Sequence, residues 1–237
     1  MIKGDLRKSQ ILEVSEELFC KNGYEKTSVQ DILDVLKLSK GSFYHHFESK
    51  EQLLHNMCIS HACEIRKEVQ QQLSEEDPAV LKINKILSGM IPLHGNGFHF
   101  LAMIIPVFFL PEGRSVKISF CDALKDAFRS DLSENISIAA RQHIIFSQDT
   151  FLNAEICLDL MNDLWLSLCA MIVEGVDKAK ETNRNSTMIN TINTYRTAIE
   201  NVLTLPYGAL DLIKIYDLND FISNFRSFIL KTSINKR

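Results

Sequence analysis

The stretch LSKGSFYHHFESKEQLL, residues 38–54, places Gly41, Ser42, three aromatic residues and two histidines in seven positions, then runs directly into a helix-start signal. Three kinds of chemistry compete for it: a metal site, a catalytic histidine, and a small surface that reads another molecule. His45 and His46 are neighbours, so on a helix they point about 100° apart and cannot grip one metal from one face. No H-x-x-x-H partner or zinc-type spacing accompanies them. A catalytic histidine would need a nucleophile or an acid partner in a recognisable arrangement, and none is present.

Reading a nucleic acid explains more of these residues. Gly41 has no side chain, so a helix start can lie close against a phosphate or a base edge. Backbone N–H groups there donate to phosphates, and Ser39 and Ser42 add hydroxyls. Lys40 and Lys50 supply positive charge, while Tyr44 and His45 offer hydrogen-bonding edges and an apolar face for a thymine methyl. Lys37, Lys40 and Lys50 against Glu48 leave residues 37–50 with a small positive excess in a chain whose net charge is −4. That suits modest phosphate anchoring by each of two paired subunits. Phe43 and Phe47, four residues apart, are expected inward as core with Leu38, against Phe19 and Ile32.

Working outward, Ile11, Leu12, Val14, Leu18 and Phe19 mark a helix over residues 7–20, ended by Asn22-Gly23. Thr27 or Ser28 then caps a second helix carrying Val29, Ile32, Leu33, Val35 and Leu36, with Asp31 favouring its start. A third, very short helix covers residues 39–46. Ser49 with Gln52 forms a capping box for a fourth that runs to Leu73, before Asp77-Pro78. Three short helices with a tight turn before the third describe a helix-turn-helix.

Beyond residue 78 the helical segments are longer and more apolar. They are expected over 80–90, 98–110, 115–128, 136–146, 151–178, 187–205 and 218–231. No two-residue alternation or hairpin signal appears, so the chain is read as all-α. An N-terminal helix-turn-helix DNA-binding domain, residues 1–50, precedes a larger helical regulatory domain, residues 51–237.

Composition narrows the function class. At 237 residues and 46% hydrophobic content the chain can bury a substantial core. The charged N-terminus lacks the apolar segment of a signal peptide, and the uncharged run from Ile86 to Pro111 is broken by proline and glycine. A soluble, cytoplasmic protein with no membrane association is expected. Six cysteines without a CxxC pair are read as reduced and buried. His55, Cys58 and His61, three apart with Cys63 beside them, are read as chance placement rather than a thiol or metal sensor. No nucleophile elbow, phosphate loop, metal motif or paired-carboxylate arrangement points to an enzyme or a cofactor.

The segments ELFCKNGYEKTSVQDI (residues 17–32), SKGSFYHHF (39–47) and SKEQLL (49–54) together strongly resemble the TetR/AcrR family of one-component transcriptional regulators. The resemblance spans about residues 7–55. It implies that Thr27 and Ser28 touch phosphates at the start of the second helix. Ser39, Lys40, Gly41, Ser42, Tyr44 and His45 would form the recognition surface, with His46 and Lys50 holding the DNA backbone. Lys37 stands where the family often has glycine, and Ser15 where it often has alanine.

The resemblance also implies a homodimer on an inverted-repeat operator in double-stranded DNA, with a small-molecule effector that releases it. The chain is then a repressor; the alternative is an activator, or a helix-turn-helix protein acting through a protein partner. The helices around residues 151–178, apolar on nearly all sides, and 187–205, with an apolar stripe, are the candidates for the dimer interface, through Leu164, Trp165, Leu168, Tyr195 and Ile199. The effector pocket is expected at His99, Phe100, Met103 and Phe108, with His94, Phe98 and Phe109 nearby, because a cavity needs apolar walls and a few polar groups.

Overall fold

In a computed structural model, residues 3–93, 95, 97–175 and 184–234 are described. Ten α-helices follow one another, and the described residues contain no strand. They are α1 (Lys3–Asn22), α2 (Val29–Leu36), α3 (Lys40–Tyr44), α4 (Lys50–Gln72), α5 (Ala79–Gly89), α6 (Phe98–Val107), α7 (Arg114–Arg141), α8 (Thr150–Glu174), α9 (Arg184–Val202) and α10 (Ile215–Ile234). A turn of 3₁₀ helix, Pro111–Gly113, leads into α7.

The local signals explain the first four helices. Ser28 caps α2 in a reciprocal box with Asp31. Those hydrogen bonds from Ser28 hold the Asp31 carboxyl below its ordinary range. Ser39 caps α3 by accepting from the Ser42 N–H at 3.3 Å, and Ser49 caps α4 by accepting from Gln52 at 3.1 Å. Gln52 reaches back to the Glu48 N–H, one residue earlier than in the usual box. Lys37 ends α2 in the left-handed conformation (φ 52°, ψ 45°), and the Leu38 N–H returns to the Leu33 carbonyl at 3.0 Å. This is the glycine-type stop carried out by a lysine.

One expectation is corrected in the C-terminal part. Residues 115–128 and 136–146 are not two helices; a single helix, α7, runs from Arg114 to Arg141. The polar stretch RSDLSENIS contains neither glycine nor proline, so nothing stops the helix. Phe128, Leu132, Ile136 and Ala139 keep one buried stripe through it. At about 1.5 Å per residue α7 is roughly 42 Å long and forms the spine on which α4, α5 and α8 pack. An Arg66–Asp131 pair, with two hydrogen bonds of 2.7 and 2.8 Å, clamps α4 to it.

Helix α8 is long and apolar enough to cross a membrane by length and composition. Its Leu158, Met161, Leu164, Trp165 and Leu168 are wholly covered by neighbouring helices, as in a core helix. The expected continuation of this helix to 178 and the position of His94 lie outside the described residues.

Candidate nucleic-acid interface

Helix α3 is positioned from below. Phe43 and Phe47 are buried at 0% and 1%, their rings 5.8 Å apart, in the same core as Phe19 and Ile32. With those two side chains committed inward, the other face of a five-residue helix has to look out. Ser39, Lys40, Gly41, Tyr44 and His45 are exposed, with Ser42 and His46 half-covered beside them. Tyr44 is 52% exposed, a large ring left in water without a hydrogen bond to its hydroxyl from the described residues. His45 and His46 stand edge-on to each other at 5.0 Å. These seven residues therefore form one contiguous polar and aromatic surface around one helix start.

Gly41 is informative because the chain itself does not require it. A Cβ built there would meet only the Ser39 hydroxyl, at 4.0 Å, and its backbone is not left-handed. Internal packing thus gives no reason for glycine, whereas close approach of an outside surface does.

Thr27 and Lys50 sit elsewhere than expected. Thr27 is 0% exposed; its hydroxyl donates to the Gly23 carbonyl at 2.9 Å and lies 3.4 Å from that of Leu18. It ties the α1–α2 loop to α1 and cannot offer its side chain to a phosphate. Ser28, next to it, is exposed at the start of α2 and can. The Lys50 ammonium donates to the carbonyls of Tyr24 (3.0 Å) and Thr27 (3.2 Å) and lies 4.1 Å from the centre of the Tyr24 ring. Two of its three N–H donors hold the same loop, so Lys50 braces the unit internally. Burial and nearby carboxylates in turn push the Tyr24 phenol well up.

One cation was missed. Lys8, on α1, stands 5.7 Å above the Phe47 ring and brings a positive charge beside the end of α3. Sequence spacing held no signal for it, since Lys8 and Phe47 are far apart in the chain and meet only in the fold.

The expected effector residues do not converge. Phe100 is core, stacked on His61 at 4.0 Å. Met103 lines a cleft of about 230 Å³ between the α1–α2 loop and α6, and His99 lines a groove of about 550 Å³ beside α1 and α4. Phe108 packs on Phe120 at 5.7 Å, at the edge of a third depression beside Lys117 and Ile118. Helix α6 is short and central, so successive side chains radiate about 100° apart into different neighbours.

Four of the five expected dimer contacts are likewise corrected. Leu164, Trp165, Leu168 and Ile199 are 0% exposed within one chain, so no partner can reach them. An apolar stripe covered by its own chain reads identically to one waiting for a partner. Tyr195 is partly covered and donates its hydroxyl to Asp163, across from α9 to α8.

Comparison with known proteins supports the N-terminal geometry. Residues 11–57 match the family model described as bacterial regulatory proteins, tetR family. The uncharacterized HTH-type transcriptional regulator YerO of Bacillus subtilis is 28% identical over 117 residues, 48% of this chain and 40% of that protein. The HTH-type transcriptional repressor KstR2 of Rhodococcus jostii is 40% identical over 48 residues, 20% of this chain and 24% of that one. The matches thus span less than half the length of these curated relatives. A TetR-family transcriptional regulator from Pectobacterium atrosepticum shares the fold, with a TM-score of 0.56 at 14% identity over 86% of this chain and 97% of the other. Residues 11–57 thus carry the helix-turn-helix of the tetR family of bacterial regulatory proteins, and the all-helical fold behind it is the one that solved TetR-family regulator has.

Proposed function

We propose that this regulator is a repressor which binds an inverted-repeat operator as a homodimer and is released by a small-molecule effector. The observation that carries the reading is the outer surface of α3. Lys40, Gly41, Tyr44 and His45 are exposed, and the described residues give their side chains no hydrogen bond; the Tyr44 and His45 rings only lean edge-on against their neighbours Phe43 and His46. Ser28, Ser39, Ser42 and His46 complete the contact, with Lys8 added to the phosphate anchors and Thr27 and Lys50 reassigned to support. The division into a reader, residues 1–50, and a regulatory domain, residues 51–237, belongs to the same proposal.

A pair of such readers must sit about 34–36 Å apart to enter successive major grooves. The uncovered side of α8, with Leu152 at 53% and Ile156 at 37% exposure, is the surface we assign to the partner subunit. Helix α4 is the mechanical link: Leu53, Leu54 and Met57 at its start are buried, and Arg66 further along is clamped to Asp131 on α7. An effector that binds better to a conformation with shifted α4 would draw the population away from operator-competent spacing.

Selection of bound duplexes from a random pool, at fixed moderate salt, tests the reading. An enriched inverted repeat, lost for a folded Lys40→Ala/Tyr44→Ala variant, is the expected result. No enrichment from a folded dimer, with or without cell extract, would refute it.

A further inference from the structure

The effector expectation placed at α6 does not hold, yet a different groove has the size and lining of a ligand site. It measures about 490 Å³, within the ~300–1,000 Å³ range of small-molecule pockets. Its apolar lining comes from Ile65 and Val69 of α4, Leu81 of α5, and Leu212 and Ile213 from the segment between α9 and α10. Polar and charged groups share the lining, among them Glu68, Asn84, Lys85, Asp211, Lys214 and Asp217, and a few such groups beside apolar ones are what orient a ligand.

The charges at those walls are unbalanced. Lys85 is already engaged: its ammonium bonds the Asp77 carboxylate at 2.6 Å and the Gln72 carbonyl at 2.9 Å. Lys214 is drawn toward the Tyr216 ring, 5.9 Å from its centre. The carboxylates of Glu68 and Asp211, by contrast, have no hydrogen-bonding or ion-pair partner among the described residues, and both line the groove. Asp211 is fixed in place, because Asn84 holds its backbone on both sides (2.7 Å to its N–H, 3.2 Å to its carbonyl). A cationic group entering the groove would therefore find one carboxylate on α4 and another on the segment between α9 and α10.

From this we infer that the groove between α4, α5 and residues 211–217 binds an organic amine with an apolar body, and that this is where the effector acts. The second half of the statement rests on the function proposed above. The first half rests on the groove alone. Glu68 sits in the same helix whose first turns carry the reader. A cation drawn between Glu68 and Asp211 would pull α4 relative to the segment that Asn84 anchors.

The test uses the full chain and two protonated amines, octylamine and phenylpropylamine, against their neutral alcohols, octanol and phenylpropanol. Binding is measured calorimetrically at low salt. The expected result is that the amines bind at least about tenfold more tightly than the alcohols, as a charge-assisted contact requires. Glu68→Gln and Asp211→Asn should each remove about tenfold of amine affinity while leaving alcohol affinity and the melting temperature unchanged. Equal binding of amine and alcohol, no binding of either amine, or indifference to both substitutions would overturn the site. A duplex titration with amine present then separates the two halves. Weakened duplex binding supports the regulatory role. Amine binding that leaves duplex affinity unchanged keeps the site and overturns its use by an effector.

Discussion

Gly41→Ala makes folding and DNA binding move in opposite directions. The added Cβ meets nothing closer than the Ser39 hydroxyl at 4.0 Å, so the chain accommodates it without a shift. Alanine in place of helical glycine restricts the unfolded chain, and the variant should be more stable by roughly 0.5–1 kcal/mol. In a chain of this size that corresponds to a rise of about 2–4 °C in melting temperature at most. On the DNA side, a methyl group at the point of closest approach costs about 1 kcal/mol per half-site. Two half-sites then lose about 2 kcal/mol, or roughly 30-fold in affinity. No charge is removed, so the slope of affinity against salt should stay the same. Thermal unfolding and fluorescence anisotropy with a selected duplex, titrated at several salt concentrations, measure all three quantities. A stabilised variant that binds DNA within twofold of the original would refute the placement of Gly41 against DNA. A destabilised one would refute the geometry of α3 itself.

Other substitutions probe the supports of the reader. Ser15, 0% exposed in α1, has a hydroxyl without a hydrogen-bond partner among the described residues; Ser15→Ala should raise stability by about 1 kcal/mol, read by denaturant unfolding. Lys37→Gly removes the left-handed penalty at φ 52° and should also stabilise by about 1 kcal/mol, in the same assay. Thr27→Val keeps the volume but loses the bond to Gly23, and should destabilise by about 1 kcal/mol while the salt slope of DNA binding is unchanged. Burial pushes the thiols of Cys20, Cys58, Cys121 and Cys157 up to about 12, with the nearby Glu16 adding to the effect at Cys20. At pH 8 only about one in 10⁴ of each is then thiolate. Iodoacetamide should therefore label the exposed Cys63 in the native chain and reach those four only in denaturant, as mass spectrometry of digested protein would show.

The reader was legible because its signals are local. The caps at Ser28 and Ser49, the stop at Asn22-Gly23 and the inward pair Phe43 and Phe47 each act within a few residues, whereas the left-handed stop at Lys37 shows only in the folded chain. The regulatory domain was legible only as helix content, and the α7 error shows why. A polar interval such as RSDLSENIS reads as a break until the partners that bury Leu132 and Ile136 within it are known.

The two misassigned supports share a further physical reason. Thr27 and Lys50 carry the groups that a phosphate contact needs, a hydroxyl and an ammonium. What decides their use is whether nearer acceptors exist in the fold. Gly23 and Leu18 lie beside the Thr27 hydroxyl, and Tyr24 and Thr27 accept from Lys50 across more than twenty positions of sequence. An unpaired carbonyl in a tight loop demands a donor as strongly as DNA does. The loop reaches them without any loss of freedom on binding a second molecule. Tyr44 and Lys40 had no such internal competitor, which is why the outward face of α3 could be read from its residue types and the flanking anchors could not. The same logic bears on the regulatory half, where Lys85 is occupied by Asp77 and Gln72 while Glu68 has no hydrogen-bond or ion-pair partner among the described residues. There, as in α3, the group without an intrachain partner is the one with affinity to spare for a ligand.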